Sequence, residues 1–206
     1  MKKIIISFCL LLAATTFAQK QYYYYSPFRF DLGGGISVPI SGFGIGGLLS
    51  VEPKYQINKF ALGVRIEYHT ENQTKPDFST TRSNKSILLT CDYYFNNRET
   101  FRPFVGAGFG VSAININSSN DDSGSYSSGS YYDDRLSGML RFGVDMPHFR
   151  IALQGNILGT AKQTYHYYSY SSAFYGEVPD KIVNQDLNYL AIIAAFGIGG
   201  NRRVLP

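Results

Sequence analysis

The sequence predicts an all-β chain, an eight-stranded antiparallel up-and-down β-barrel. Three observations lead there. The stretch Val51–Tyr68, VEPKYQINKFALGVRIEY, alternates strictly: Val51, Tyr55 and Ile57 share one face with Phe60, Leu62, Val64, Ile66 and Tyr68, while Glu52, Lys54, Gln56, Arg65 and Glu67 share the other. Period-two alternation across a connection as short as Asn58-Lys59 makes two antiparallel neighbours. The same unit recurs along most of the chain, with no segment of helical period. Finally, apart from the first connection, Pro39–Gly44, which breaks the pattern, a short class and a long polar class of connection take turns, which puts short turns at one end of a barrel and long loops at the other.

Taken in order, Met1–Ala18 reads as a targeting segment. Lys2 and Lys3 supply its positive start, Ile4–Ala14 its apolar stretch and Thr16-Phe17-Ala18 a small-x-small cleavage site before Gln19. Its apolar run is too short to span a bilayer as a helix. Residues 19–27 are expected to be an N-terminal tail, 28–200 the barrel and 201–206 a basic C-terminal tail. The expected strands are residues 28–38, 45–56, 60–69, 87–95, 103–115, 136–145, 149–157 and 187–200. Between them lie polar or low-complexity stretches expected as loops: Thr70–Lys85, which shows no periodicity, Asn117–Asp134 (NSSNDDSGSYSSGSYYDD) and the Tyr-rich Gly159–Asp186.

Composition removes several function classes. Without residues 1–18 the 206-residue chain keeps 188, and Cys91 is then its one cysteine, so no internal disulfide holds the fold. One Cys and three scattered histidines (69, 148, 166) offer no zinc-ligand spacing. The formal charge of +4 has no basic stripe to suit nucleic acid. Mean hydropathy is −0.12, and no later stretch reaches 18 apolar residues, which excludes membrane helices. The aromatic load is heavy, with 17 Tyr and 15 Phe.

Alternation alone does not say which face is inside. Three features point the apolar face outward, toward lipid, and make the barrel transmembrane. The polar face is rich in Gly, Ala and Ser, which suit the narrow lumen of eight strands. Its charges balance: Arg29, Lys54, Arg65, Arg141 and Arg150 against Asp31, Glu52, Glu67, Asp92 and Asp145. Enclosed charges must be paired, whereas a solvated surface needs no such balance. Aromatics gather on the apolar face toward the short turns (Phe28, Phe30, Tyr55, Phe60, Tyr93, Phe95, Phe149, Phe196), as an interfacial girdle does.

With VEPKYQINKFALGVRIEY, FRPFVGAGFGV (Phe101–Val111) and the targeting segment ending before Gln19, the chain resembles the small eight-stranded outer-membrane β-barrel family of Bacteroidetes-type bacteria, the OmpA/OmpX-like barrels. The resemblance covers nearly all of residues 19–206 and implies the bacterial outer membrane, periplasmic short turns, extracellular long loops and no catalytic residues. The chain departs from the pattern at its end, where Asn-Arg-Arg-Val-Leu-Pro follows the last strand in place of a terminal aromatic.

Few motifs carry chemistry. Gly42–Gly47 matches G-x-G-x-x-G but opens no helix, so a phosphate would lose its main attraction. His69 beside Thr70, and His166 near Ser169, are the only hydrolase candidates, and both read better as solvated loop histidines. Asp121-Asp122 and Asp133-Asp134 lack a calcium-loop register. The expected recognition surface is the tyrosine cluster Tyr131, Tyr132, Tyr165, Tyr167, Tyr168, Tyr170, Phe174 and Tyr175, because Tyr in Ser/Gly-rich loops offers wide amphipathic contact at low entropic cost. The expected role is a non-catalytic, structural or surface-interaction one, with a narrow solute conduit or a lipid-modifying enzyme as alternatives. Expected partners are outer-membrane lipid, lipopolysaccharide and an extracellular protein or surface, met by a monomer without cofactor or metal.

Overall fold

The computed structural model describes residues 22–25, 27–40, 44–75, 78–95, 101–122, 125–171, 174–200 and 202–204. In chain order the strands are β1 (Tyr22–Tyr25), β2 (Phe28–Pro39), β3 (Ile45–Ile57), β4 (Phe60–Lys75), β5 (Phe78–Tyr94), β6 (Arg102–Asp122), β7 (Ser125–Asp145), β8 (Phe149–Ile157), β9 (Thr160–Ser171), β10 (Phe174–Asp186), β11 (Tyr189–Gly199) and β12 (Arg202–Val204). The described residues include no helix. β2 to β8 pair with their neighbours in sequence, β8 pairs with β11, and β11 returns to β2, which closes an eight-stranded antiparallel barrel. The closing seam runs from Tyr189↔Pro39 to Gly199↔Arg29. β1 and β12 form a separate two-stranded antiparallel ladder, so both expected tails contain a strand. Residues 1–18, expected as the targeting segment, lie outside the described residues.

Burial identifies the inner face. Along β4 the apolar residues Phe60, Leu62, Val64, Ile66 and Tyr68 are 40–55% exposed, while Arg65 and Glu67 between them are 3% and 2% exposed. A folded domain in water does the reverse, so only hydrocarbon can cover this outer face. The nine residues Phe60–Tyr68 extend about 26 Å along the strand, or roughly 20 Å of membrane thickness at the usual tilt. At the short-turn end the belt finishes in packed rings: Phe60 on Tyr93 (5.2 Å between centroids), Tyr93 on Phe95 (5.5 Å) and Phe149 on Phe196 (5.5 Å). Asn58 completes its two-residue turn at φ 53°, a conformation that Asn tolerates.

The other end departs from the sequence expectation. Thr70–Lys85, Asn117–Asp134 and Gly159–Asp186 are not loops; most of each is strand. β4 and β5 stay paired from Phe60↔Tyr93 to Lys75↔Phe78, β6 and β7 from Arg102↔Asp145 to Asp122↔Ser125, and β9 and β10 make a hairpin that rejoins the wall at Ser125↔Ser169 and Tyr126↔Tyr168. Thr and Tyr favour strands and the Ser and Asn between them are held by the cross-strand pairing, but with polar residues on both faces no alternation betrays the ladder.

Cross-strand rows show where the change happens. On the outer face Ile66, Ile87, Val111 and Leu136 sit in register as the last apolar row. The next row is Tyr68, Lys85, Ala113 and Asp134, then Thr70, Ser83, Asn115 and Tyr132, then Asn72, Thr81 and Asn117. As the outside turns polar the inside turns apolar. Leu48, Ile114, Ile116, Leu158, Ala161 and Leu187 are buried together with Tyr189, Ala191 and Ile193. A smaller cluster, Ala61, Tyr94, Phe104 and Ala152, lies toward the short turns. Across β4 to β7 the wall thus has membrane polarity up to one row and water-soluble polarity above it, while on β3 the exposed Leu49 and Ile45, opposite Tyr68 and Asn72, keep the outer face apolar further up.

This boundary predicts a graded cost for charge. Val64→Arg, at mid-belt, should destabilise by about 2–4 kcal/mol, and Thr70→Arg, above it, by about 0–1 kcal/mol. Urea unfolding from lipid vesicles measures both; equal costs would remove lipid from this face.

Candidate functional site

The lumen between the two apolar clusters is filled by charge. β2, β3, β4, β5, β7 and β8 each turn alternate residues inward, which places Arg29 and Asp31, Glu52 and Lys54, Arg65 and Glu67, Asp92, Arg141 and Asp145, and Arg150 on the inner face. All ten are 5% exposed or less. At the centre, Arg141 donates to two carboxylates at once: Nη1 and Nη2 to Glu52 (2.7 and 2.5 Å), Nε and Nη2 to Asp92 (2.8 and 3.0 Å). Glu52 also accepts from Thr90 Oγ1 (2.7 Å) and Arg65 Nη1 (3.2 Å). Asp92 takes a further bond from Arg150 Nη2 (2.7 Å), which also reaches the Tyr94 hydroxyl (3.0 Å).

Two branches leave this centre. Toward the short turns, Lys54 Nζ and Arg29 Nε each lie 2.5 Å from Asp31, and Asp145 is held by Arg29 (2.7 Å) and Arg102 (2.9 Å). Two guanidinium groups also rest on rings, Arg150 over Phe104 (3.8 Å) and Arg102 over Tyr94 (4.5 Å). Toward the long hairpins, Glu67 accepts from Arg65 Nε (2.7 Å), Gln154 Nε2 (2.9 Å) and the Tyr189 hydroxyl (2.6 Å). Charges removed from water are tolerable only in such multiply bonded arrangements.

Other members escaped the sequence reading. Arg102 has the inward parity of Gly106, but it immediately precedes the expected strand. Glu71 and Arg82 form a buried ion pair inside what read as a loop. With them the buried charges among the described residues are seven cations (29, 54, 65, 82, 102, 141, 150) and six anions (31, 52, 67, 71, 92, 145). Continuing the period-two count past His69 would have found the Glu71–Arg82 pair.

His69 corrects an expectation. It is not a solvated loop residue but is 1% exposed, at the height where the charged chamber meets the apolar layer. Its Nε2 lies 2.7 Å from Ser37 Oγ, and its ring stacks on Tyr189 at 4.0 Å between centroids. Gly46 makes room for this pair, since a Cβ there would come within 2.8 Å of His69 Nε2. That accounts for one glycine of the G-x-G-x-x-G match; Gly42 and Phe43 lie outside the described residues. A hydroxyl facing an imidazole resembles an activated nucleophile, but Nδ1 of His69 has no hydrogen-bond partner to orient the ring, and the site is enclosed. His148 is half-buried beside Phe196.

At the rim, Tyr132 is 67% exposed, and Arg135 pairs with Asp133 and donates to the Leu158 and Thr160 carbonyls (3.2 and 2.9 Å). The backbone places Tyr131 in β7, Tyr165, Tyr167, Tyr168 and Tyr170 in β9, and Phe174 and Tyr175 in β10; these side chains, with those of His166, Asp121 and Asp122, lie outside the described part of the molecule. Among the described residues no three His, Cys, Asp or Glu side chains converge as metal ligands.

Residues 9–170 match the family model described as the outer membrane protein beta-barrel domain. The chain belongs to that family. Its place is the bacterial outer membrane. Among solved structures, Neisserial surface protein A is similar over 85% of this chain and 98% of its own, with 16% identity and a TM-score of 0.51. A major outer membrane protein of Thermus thermophilus is similar over 84% of this chain and all of its own, with 13% identity and a TM-score of 0.52. At these identities the likeness establishes the fold. No curated protein matches the sequence.

The network of this outer-membrane barrel predicts strong pairwise dependence. Glu52→Gln or Arg141→Gln alone should each cost about 3–5 kcal/mol, because each strands buried charge. The double substitution should cost clearly less than the sum. Urea unfolding of the vesicle-inserted protein measures the coupling; strictly additive losses would mean the two groups do not share an energy.

Proposed function

We propose that this outer-membrane barrel is a non-catalytic protein with a structural or surface-interaction role, and that its tyrosine-rich extracellular hairpins carry the binding. The observation behind this reading is the lacing of β9–β10 to β6–β7 at Ser125↔Ser169 and Tyr126↔Tyr168. It joins the two Tyr/Ser-rich hairpins into one wall, so Tyr131, Tyr132, Tyr165, Tyr167, Tyr168, Tyr170, Phe174 and Tyr175 belong to one continuous sheet. Rigid aromatics on an ordered wall lose little entropy on meeting a partner.

The lumen is a poor alternative site. An eight-stranded barrel leaves an interior only wide enough for side chains. Here thirteen buried charged groups and the apolar layer occupy it. Catalysis at Ser37–His69 would require a substrate to reach a histidine that is 1% exposed.

Two measurements test the proposal. In planar bilayers the protein should show little or no conductance; large stable steps would move the function into the lumen. Replacing Tyr165, Tyr167, Tyr168 and Tyr170 by Ser should leave heat-modifiable gel mobility intact and weaken adhesion to cells, matrix or protein partners, each lost anchor being worth about 2 kcal/mol. A quadruple variant that adheres as the parent does, on every surface tried, would assign the tyrosines to packing.

A further inference from the structure

The charge network in the lumen does not balance. Without the separate Glu71–Arg82 pair, the buried charges among the described residues are six cations against five anions. The surplus can be located. Arg65 bonds both Glu52 and Glu67, and Arg141 adds a second guanidinium to Glu52, so that half is matched two to two. Toward the short turns, Arg29, Lys54, Arg102 and Arg150 remain for Asp31, Asp92 and Asp145, and Asp92 is shared with Arg141 (2.8 Å). Lys54 is well supplied, with Nζ 2.5 Å from Asp31 and 3.6 Å from both Glu52 and Asp92. Asp145 instead has three guanidinium groups around one carboxylate: Arg29 Nη1 at 2.7 Å and Arg150 Nε at 4.0 Å from Oδ1, and Arg102 Nη2 at 2.9 Å from Oδ2.

One carboxylate cannot satisfy three such groups. Arg29 Nη2 and Arg150 Nε and Nη1 are buried and bond to no acceptor among the described residues, on side chains only 6% and 4% exposed. The 4.0 Å between Arg150 Nε and Asp145 is too long for a hydrogen bond. The Phe104 ring covers one face of the Arg150 guanidinium, but the N–H groups in the guanidinium plane still need an acceptor. We propose that a small monovalent anion, chloride, binds in the lower lumen between Arg29 and Arg150 and completes the network. The sign and the number follow from the charge: a surplus of one buried cation is neutralised by one negative charge. The size follows from enclosure. All four cations are 7% exposed or less, and an interior only wide enough for side chains admits a single atom more readily than an oxoanion. Arg65 Nη2 also lacks an acceptor, but its half of the network is balanced and draws no ion. This site is independent of the proposed adhesive function: it lies at the opposite end of the barrel from the tyrosines and serves the fold itself.

Thermal unfolding tests the site on the full-length protein, folded into phosphatidylcholine vesicles and followed by tyrosine fluorescence. Ionic strength is held constant while sodium chloride replaces sodium gluconate step by step. The midpoint should rise with the logarithm of chloride concentration once the site fills, as it does for any ligand that binds only the folded state. Bromide should act in place of chloride. Two variants remove the demand from opposite sides. Arg102→Gln deletes one cation and leaves Asp145 with Arg29 and Arg150. Gln56→Glu puts a carboxylate where Gln56 Oε1 now accepts from Arg102 Nη1 (3.1 Å). Whatever each does to the midpoint in gluconate, both should lose the chloride-dependent rise, and one variant decides the matter where the other does not insert. In crystals grown with bromide, the parent should show an anomalous peak bonded to Arg29 and Arg150, absent from Gln56→Glu. A parent midpoint indifferent to the exchange of anions, a chloride-dependent rise retained by either variant, or bromide bound only at exposed positions would overturn the proposal.

Discussion

A bilayer offers no water to an unpaired N–H or C=O, so the closure of the ladder between β11 and β2 is the constraint on which the rest depends. Eleven register positions along that seam join the last barrel strand to the first. Removing this seam would leave two edges in hydrocarbon, which no arrangement of side chains could compensate. Closure also explains why the alternation is so strict within the belt. Once the ring is shut, each residue faces either lipid or lumen, and a single slip would place Arg65 or Glu67 in hydrocarbon.

Closure creates the second problem, an enclosed lumen that polar side chains must fill at their own electrostatic expense. The protein meets it with geometry that leaves little choice. Arg141 bridges Glu52 and Asp92 only because Gly106 opposes it in register, where a Cβ would collide with Asp92 Oδ1. Arg29 lies against Gly197 in the same way, its guanidinium occupying the space a side chain there would need. The small residues of the inner face and its long arginines are therefore one design. Gly106 and Gly197 leave the volume into which a guanidinium is laid, so the network and the strand sequences constrain each other there.

Much of this was legible in the sequence, and what was not has a physical cause. Period-two alternation survives wherever one face meets lipid and the other a polar lumen, as in Phe60–Tyr68, and there both the strand and its inward charges could be read. It fails where the residues of both faces are polar, one face meeting water and the other buried. Thr70–Lys85 carries no apolar rhythm, so the Glu71–Arg82 ion pair and the burial of His69 stayed hidden although the ladder continues unbroken. Ser37 approaches His69 from a strand 32 residues away, which spacing along the chain does not reveal. Ile114 and Ile116 were visible as apolar residues, but they fall on the face that had been polar since Gly106, and only the register shows that the wall changes polarity there.

On β4 to β7 that inversion divides one continuous wall into two regimes. Below the row Ile66–Ile87–Val111–Leu136, lipid supplies the apolar surroundings and side-chain charge fills the lumen. Above it, water lies outside, and Leu48, Ile114, Ile116, Leu158 and Leu187 form an ordinary hydrophobic core. The upper part is thus stabilised in the way a soluble β-sheet is, by burying its own apolar residues. Because the ladder is shared, the tall hairpins inherit the rigidity of the belt without needing lipid against them. A barrel limited to its belt could offer a partner only turns. By carrying its strands past the boundary, this one holds a Tyr-, Ser- and Asn-rich sheet above the membrane, at a cost in apolar residues small enough to have escaped notice in the sequence.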